Sequence, residues 1–283
     1  MSIPNPAQPV PRSCKAVAVQ GLRAGMPVQR QDWVVRELPV ALEFNGVAHA
    51  VMMATPEDLE DFAYGFALSE GIVQQAGQIY GVEIDVGQQC CTVQLEIAGA
   101  CFARLKEMRR VLAGRTGCGL CGTESLAHAV RLPEPVRSQV LFSARAVSQA
   151  MEAMRERQEL LALTGSTHAA AWCTPAGDIC LVREDVGRHN ALDKLIGAMA
   201  RTGAPLDGGF IAISSRASYE MVQKTAHAGV GLLAAVSGVT SLAIEVAEAC
   251  GLTLLGFVRG QDCNVYTHAQ RFIWETVPCK TAT

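Results

Sequence analysis

The stretch that decides the fold is GGFIAISSRASYEMVQKTAHAGVGLLAAVSGVTSLAIEVAEACGLTLLGFVRG, residues 208–260. It contains three short apolar runs, GGFIAISS, GLLAAVSG and LTLLGFVRG, of which the last continues into a loop. Between them lie two segments with helical periodicity, SYEMVQKTAHAG and SLAIEVAEACG. Buried strands that alternate with helices are typical of a layered α/β domain with parallel strands. We therefore predict such a domain here.

The preceding residues extend the same pattern toward the N-terminus. A long amphipathic helix is predicted from Ser143, as its cap, to Gly165, where it ends. Two strands follow in THAAAWCTPAGDICLVRED, and then a helix in GRHNALDKLIGAMARTG. The proline-rich segment RLPEPVRSQ, residues 131–139, is a suitable boundary. We place the α/β domain at residues 136–283.

The first part of the chain predicts a smaller α+β domain. In WVVRELPVALEFNGVAHAVMMAT, the pair Asn45-Gly46 between two apolar runs is a strong hairpin signal. A helix follows, with Thr55 as predicted N-cap and Gly71 at its end. Two more strands and a short helix, FARLKEMRRVLAG, complete the unit. The predicted domains are a mobile tail at 1–25, an α+β domain at 26–135 that ends in a Cys-x-x-Cys loop, and the α/β domain.

Composition limits the function classes. The 283 residues are 49% hydrophobic and 18% charged, with a net charge of −3, which argues against nucleic acid as a main partner. No apolar run is long enough to span a bilayer, so no membrane partner is expected. There are eleven cysteines and no secretory signal, which predicts free thiols and a cytoplasmic protein.

Cys118 and Cys121 lie in GRTGCGLCGTES, residues 114–125. A zinc site needs three or four ligands, yet the chain has no second Cys-x-x-Cys and no His-x-Glu, so no metal is predicted. A redox dithiol normally lies between a strand and a helix, whereas this motif lies in a glycine-rich loop after a predicted helix. The third interpretation is a sulfur carrier, because a glycine-rich loop leaves the sulfurs accessible and Arg115 would favour a thiolate. From the loop alone, zinc is the least favoured of the three interpretations, and the choice between a redox dithiol and a sulfur carrier stays open.

Three further stretches indicate an anion-binding site. His168 begins a strand in THAAA, and REDVGRHNALDKLIG places Arg188 and His189 at a helix start. Arg216 follows a strand in SSRASYEMVQK. Strand ends that lead into helix N-termini are where α/β sheets bind anionic ligands, and arginine suits phosphate. The alternatives are a buried histidine in the core and a solvated helix face.

A resemblance to a known family rests on six motifs in order: GCGLCGTES, THAAA, EDVGRHNALDKLIG, SSRASYEMVQKTAHAGV, TSLAIEVAEACGLTLLGFVRG and NVYT. Together they resemble the formate dehydrogenase accessory sulfurtransferase family, FdhD, over nearly the whole chain after about residue 30. The resemblance implies a cytidine-deaminase-like fold without the zinc site, joined to a smaller domain. It also implies a homodimer.

The resemblance further implies an enzyme, a sulfurtransferase. It would accept persulfide sulfur from a cysteine desulfurase and transfer it to the molybdenum (or tungsten) bis-guanine-dinucleotide cofactor. The cofactor is destined for the catalytic subunit of formate dehydrogenase. A non-catalytic chaperone for the same cofactor is the alternative, and a zinc hydrolase of deaminase type is disfavoured by the missing His-x-Glu.

The family motifs assign roles to residues of this chain. Cys118 matches the persulfide carrier, and Cys121 matches a second cysteine that relays or resolves the sulfur. The cofactor-binding stretch of the family falls on Phe257, Val258, Arg259, Gly260, Gln261 and Asp262. Family members often have a further glycine and a basic residue where Gln261 and Asp262 stand here. Arg259, Arg216 or Arg188 would then meet the pyrophosphate charge, and His168 and His189 complete the predicted binding residues.

Overall fold

The computed structural model describes residues 11–113, 132–138, 140–203 and 208–274. The strands in these ranges are β1 Cys14–Arg23, β2 Met26–Val35, β3 Leu38–Phe44, β4 Val47–Ala54, β5 Ile79–Val86, β6 Cys91–Ile97, β7 Phe142–Ser143, β8 His168–Cys173, β9 Ile179–Asp185, β10 Phe210–Ile213, β11 Leu232–Ala235, β12 Thr253–Arg259, β13 Asp262–Val265 and β14 Phe272–Ile273. The α-helices are α1 Leu59–Ser69, α2 Gly99–Ala113, α3 Ala144–Glu156, α4 Glu159–Thr164, α5 Arg188–Thr202, α6 Tyr219–His227 and α7 Ser241–Cys250. These elements confirm a mixed α/β chain, whereas the cytidine-deaminase-like detail stays a prediction.

The chain divides into two compact units that are interleaved in sequence. The first comprises residues 1–131, 157–170 and 183–204, and the second comprises residues 132–156, 171–182 and 205–283. The chain passes from one unit to the other at five points, and the predicted boundary near residue 135 lies close only to the first, between residues 131 and 132. The prediction that residues 136–283 form a single domain differs from this division, because two later segments pack with the first unit.

A four-stranded sheet of order β4-β3-β6-β5 forms the centre of the first unit. The predicted hairpin is confirmed: β3 and β4 pair antiparallel around Asn45 and Gly46, whose φ angles of 48° and 75° are both left-handed. Every second residue of β3, from Leu38 to Phe44, is buried, so one face of the sheet lies in the core. Phe62 and Phe66 of α1 belong to the same core.

Close contact between α1 and α5 explains why residues 183–204 belong to the first unit. A Cβ atom on Gly65 would lie 1.6 Å from the Asp193 carbonyl oxygen, and one on Gly197 would lie 1.8 Å from the Asp61 carbonyl oxygen. Only glycine permits the two helix backbones to approach this closely. The contact joins residues more than a hundred positions apart, which local sequence patterns do not reveal.

The N-terminal prediction was wrong for residues 14–23. These residues form β1, which pairs antiparallel with β2 from Cys14–Val35 to Arg23–Met26. The prolines that suggested a tail are concentrated before residue 12, and the alternating sequence that follows can form a ribbon. Residues 1–10 lie outside the described ranges.

The helix predicted between Ser143 and Gly165 is two helices. Ser143 does cap α3, since its Oγ accepts the Ala146 N–H at 3.0 Å. The helix ends at Glu156 and a short α4 begins at Glu159. The Glu184 carboxylate accepts the Leu160 and Leu161 N–H groups at 2.8 and 2.9 Å. It thereby satisfies N–H groups that an unbroken helix would bond internally.

The second unit is built around the alternating stretch that opened the sequence analysis. The six-stranded sheet to which this stretch belongs has the order β13-β12-β11-β10-β8-β9, with β10, β11 and β12 parallel as predicted. Only residues 171–173 of β8 and 179–182 of β9 are assigned to the second unit. The segment after β12 differs from the predicted loop. It turns back as β13 and pairs antiparallel with β12, with a register irregularity between Gly256 and Arg259. Phe142 and Phe210 pack edge to face in this unit, with ring centroids 5.8 Å apart.

Candidate functional site

Asp185 organises the start of α5 in the first unit. It is the last residue of β9 and is fully buried. One oxygen, Oδ1, accepts the Gly187 N–H at 2.9 Å and the Asn190 side-chain amide at 3.0 Å. A Cβ on Gly187 would lie 2.9 Å from Asn190 Nδ2, so a larger residue here would displace the Asn190 side-chain amide. The carboxylate thus holds the turn that precedes Arg188.

Lys194 and Thr55 complete a buried network around the other carboxylate oxygen. Lys194 has 0% exposed surface, and its Nζ lies 2.7 Å from Asp185 Oδ2. The same Nζ donates to Thr55 Oγ1 at 2.6 Å and to the Thr55 carbonyl oxygen at 3.2 Å. Thr55 donates both its N–H and its hydroxyl to Asp185 Oδ2, each at 2.9 Å. A buried ion pair is tolerated when its remaining donors and acceptors are bonded, as they are here.

The prediction that Thr55 caps α1 was wrong. The helix begins at Leu59, and its N-cap is Asp58, with a left-handed φ of 54° and no side-chain capping bond. The Thr55 hydroxyl instead bridges Asp185 and Lys194. Sequence reasoning missed Thr55 as a member of the site, and its partners lie 130 and 139 positions away.

His168 and Arg188 lie next to this network. His168, the first residue of β8, is half-buried. Burial lowers the pKa of His168, the nearby Arg188 charge lowers it further, and Asp185 raises it. Arg188 is the first residue of α5, and its buried Nε meets no acceptor in the part of the chain that the structure describes. His189, also half-buried, follows it.

These groups have the chemistry of an anion site. A buried guanidinium N–H without an acceptor is unfavourable unless a ligand bonds it. It stands at the start of a 15-residue helix, whose N-terminal dipole also favours an anion. The side chain of Lys194 is already occupied by Asp185 and Thr55, which leaves Arg188 as the cation to meet a ligand.

The second unit contains a separate convergence at the carboxyl ends of β10, β11 and β12. The Ala217 N–H donates to the Gly238 carbonyl at 3.1 Å, and the Phe257 N–H donates to the Ser237 carbonyl at 3.0 Å. The first bond joins the loop after β10 to the loop after β11, and the second joins the loop after β11 to the end of β12. Arg216, in the first of these loops, is exposed.

The predicted binding stretch from Phe257 to Asp262 includes residues in two different environments. Phe257 has a left-handed φ of 54° and is 44% exposed, and its ring lies above Gly238. Val258 is buried, so its side chain belongs to the core and leaves only its backbone for a ligand.

The remainder of this stretch is exposed. Arg259 donates from Nε to the Val236 carbonyl at 3.2 Å. Gly260, with a φ of 55°, accepts a hydrogen bond from Ser148. Gln261 and Asp262 are exposed at the turn into β13. An arginine, a glycine turn and an exposed aromatic ring therefore lie at one edge of the second unit.

The predicted site residues thus form two groups and one segment that the structure does not describe. His168, Arg188 and His189 lie in the first unit, whereas Arg216 and residues 257–262 lie in the second. Cys118 and Cys121 lie outside the described residues.

A family model described as the FdhD/NarQ family matches residues 35–273. The match covers most of the chain, including both groups of site residues. This chain belongs to the FdhD/NarQ family. The resemblance carried by the six sequence motifs is therefore confirmed.

Curated relatives in the FdhD/NarQ family are similar along nearly their full length. A protein of Variovorax paradoxus named "Sulfur carrier protein FdhD" is 58% identical over 261 residues, which cover 92% of this chain and 94% of that protein. A protein of the same name from Cupriavidus necator is 55% identical over 261 residues, covering 92% and 91% of the two chains.

A solved structure supports the fold. A formate dehydrogenase accessory protein of Desulfotalea psychrophila aligns with a TM-score of 0.71 and 21% identity. The alignment covers 92% of this chain and 99% of that protein, and at this identity it shows the fold alone. Within the described residues, no helix is both long and apolar enough to cross a bilayer.

Proposed function

We propose that this FdhD/NarQ protein is a sulfur carrier that acts in the maturation of formate dehydrogenase. It would accept persulfide sulfur from a cysteine desulfurase and pass it, in the cytoplasm, to a molybdenum or tungsten bis-guanine-dinucleotide cofactor. The observation that carries the proposal is family membership with the Cys118-x-x-Cys121 loop intact. The close relatives named as sulfur carriers support it.

The carrier step needs one reactive thiolate. The Cys118 thiolate would attack the terminal sulfur of the desulfurase persulfide. A new S–S bond forms on Cys118, the S–S bond of the donor breaks, and the donor cysteine leaves as a thiolate. No net electrons are exchanged in this step.

Delivery of sulfide requires two electrons, which Cys121 would supply. Its thiolate attacks the inner sulfur of the Cys118 persulfide, a Cys118–Cys121 disulfide forms, and sulfide is released to the metal of the acceptor. A cellular thiol then reduces the disulfide. The second cysteine is therefore dispensable for loading but needed for release.

The described residues fit an acceptor that carries phosphates. The unbonded Arg188 Nε at the start of α5 supports a phosphate contact in the first unit. In the second unit, exposed Arg216 and Arg259 and the exposed Phe257 ring suit a pyrophosphate and a guanine base, respectively. We further propose that the protein works as a homodimer and hands its cargo to the catalytic subunit of formate dehydrogenase.

The test is peptide mass spectrometry after incubation with a cysteine desulfurase and cysteine. We expect one added sulfur on the peptide that holds Cys118 and Cys121, lost on reduction. Cys118→Ala should abolish the added sulfur, and the matched control Cys121→Ala should keep it but fail to release sulfide. Absence of added sulfur on the wild-type protein with a competent desulfurase would overturn the carrier role and favour a cofactor chaperone.

A further inference from the structure

Asp185, Lys194 and Thr55 are buried beneath the proposed anion site without reaching it. Asp185 and Lys194 have no exposed surface, and Thr55 has none either. All three are bonded to one another, so none has a free group for a ligand. Asp185 ends the strand just before the Gly187 turn that leads into Arg188, so the network has another role than ligand binding.

The network controls the start of α5 through one oxygen atom. Asp185 Oδ1 holds both the Gly187 N–H and the Asn190 side chain, and Asn190 also donates to the Met53 carbonyl at 2.7 Å. The turn is therefore bonded to two elements of the first unit. Arg188 follows that turn directly, so its backbone position depends on the carboxylate.

Thr55 determines how the two carboxylate oxygens of Asp185 divide their hydrogen-bond partners. Its N–H and hydroxyl occupy Oδ2 together with Lys194, which leaves Oδ1 to the helix start. Without the hydroxyl, Lys194 loses one of its acceptors and the carboxylate loses one of its donors. Oδ2 would then keep only the Thr55 N–H and Lys194, and we expect this weaker restraint to loosen the Oδ1 bonds to Gly187 and Asn190.

We propose that Asp185, Lys194 and Thr55 are positioning residues that hold Arg188 beside His168 in the proposed anion site. The inference rests on the proposed function for its ligand, but the geometry that it describes can be tested without one. Burial is the main cause of the lowered pKa of His168, and two charged groups act on it as well: Arg188 lowers this pKa further, and Asp185 raises it.

Thr55→Val tests the proposal because it removes the hydroxyl while keeping the shape and the backbone N–H. Thr55→Ser is the rescue variant. Ser69→Ala is the matched control: Ser69 Oγ donates to Asp193 Oδ1 at 2.6 Å, a buried bond between α1 and α5 that does not involve the Gly187 turn. Thermal unfolding monitors the stability of all three variants.

Nuclear magnetic resonance on the full chain gives the deciding readouts. In Thr55→Val, we expect faster hydrogen exchange at the Gly187 amide and a higher pKa for His168, because Arg188 moves away while Asp185 keeps its charge. Thr55→Ser and Ser69→Ala should match the wild type. Unchanged exchange and an unchanged His168 pKa in Thr55→Val would overturn the positioning role.

Binding of GDP, the guanosine diphosphate part of the proposed cofactor, separates this inference from the proposed function. We expect Thr55→Val to weaken GDP binding at least about tenfold, with Thr55→Ser close to the wild type. Wild-type binding that Thr55→Val leaves unchanged would overturn the positioning role. If the wild type does not bind GDP, the proposed acceptor is wrong, and the resonance measurements still decide whether the network positions Arg188.

Discussion

At the scale of single residues, the Asp185–Lys194 pair shows how a charge can be retained in a core. Replacing Lys194 by Met leaves the buried Asp185 carboxylate without its counter-ion, and we expect a loss of about 3–5 kcal/mol in the free energy of unfolding. Urea denaturation measures the loss. Lys15→Met, at an exposed position of β1, is the control and should stay within about 0.5 kcal/mol of the wild type. A loss as small as that of the control would contradict the ion-pair argument.

His168 predicts a pH dependence at the same scale. Its pKa in the folded protein is below the ordinary value of 6.5, so the unfolded chain binds the proton more readily. The stability contributed by the neutral imidazole is therefore present above pH 6.5 and is lost as the pH falls through the folded pKa. Between pH 7 and pH 5, we expect the free energy of unfolding to fall less in His168→Gln than in the wild type, because the variant lacks this titrating imidazole.

Urea unfolding at several pH values checks this prediction. His227→Gln, at an exposed position at the end of α6, is the control and should follow the wild-type curve. If the free energy of unfolding falls equally with pH in His168→Gln and the wild type, the prediction that the pKa of His168 is lowered in the folded protein is contradicted.

Residue roles could be predicted only where a partner lies close in sequence. The cap role of Ser143 was predicted from its own segment and is confirmed. The role of Thr55 could not be predicted, because its two partners are supplied by a strand end and a helix far along the chain. Arg188 and His168 were predicted as candidates, but not the network that lies under them.

At the scale of elements, the contact between α1 and α5 depends on two glycines. Gly65→Ala would place a methyl group 1.6 Å from the Asp193 carbonyl oxygen, so the helices must separate. We expect a loss of about 3 kcal/mol or more in the free energy of unfolding. Chemical denaturation measures it.

Gly99→Ala is the matched control for that helix variant. Gly99 begins α2, and a Cβ there meets nothing within 4 Å. Alanine in a helix costs no more than glycine, so we expect no loss of stability. If both alanine variants unfold alike, close approach of the helix backbones is not what the Gly65 position requires.

Most elements were predictable because each has a local pattern. The alternation of β3 and β4, the Asn45-Gly46 turn and the strand–helix alternation of the second unit all follow from periodicity and turn chemistry. The features that were not predicted depend on residues outside their own segment. The break before α4 depends on Glu184, and the pairing of β13 depends on a strand that the segment itself does not contain.

At the scale of the whole molecule, the interleaved units predict how a fragment behaves. A fragment of residues 1–131 contains α1 but lacks α5, which fills the other side of the glycine contact. We expect this fragment to show no cooperative unfolding transition, whereas the full chain does. Circular dichroism during urea titration makes the comparison, and a cooperative transition of the fragment would contradict the division.

The same interleaving has a consequence for synthesis on the ribosome. Thr55 emerges 130 residues before Asp185, so its carboxylate partner does not yet exist when the hairpin of β3 and β4 can already form. Translation makes the segment with Cys118 and Cys121 during that interval. The two thiols therefore leave the ribosome before the buried ion pair can close, at a stage when a nascent-chain chaperone could still shield them.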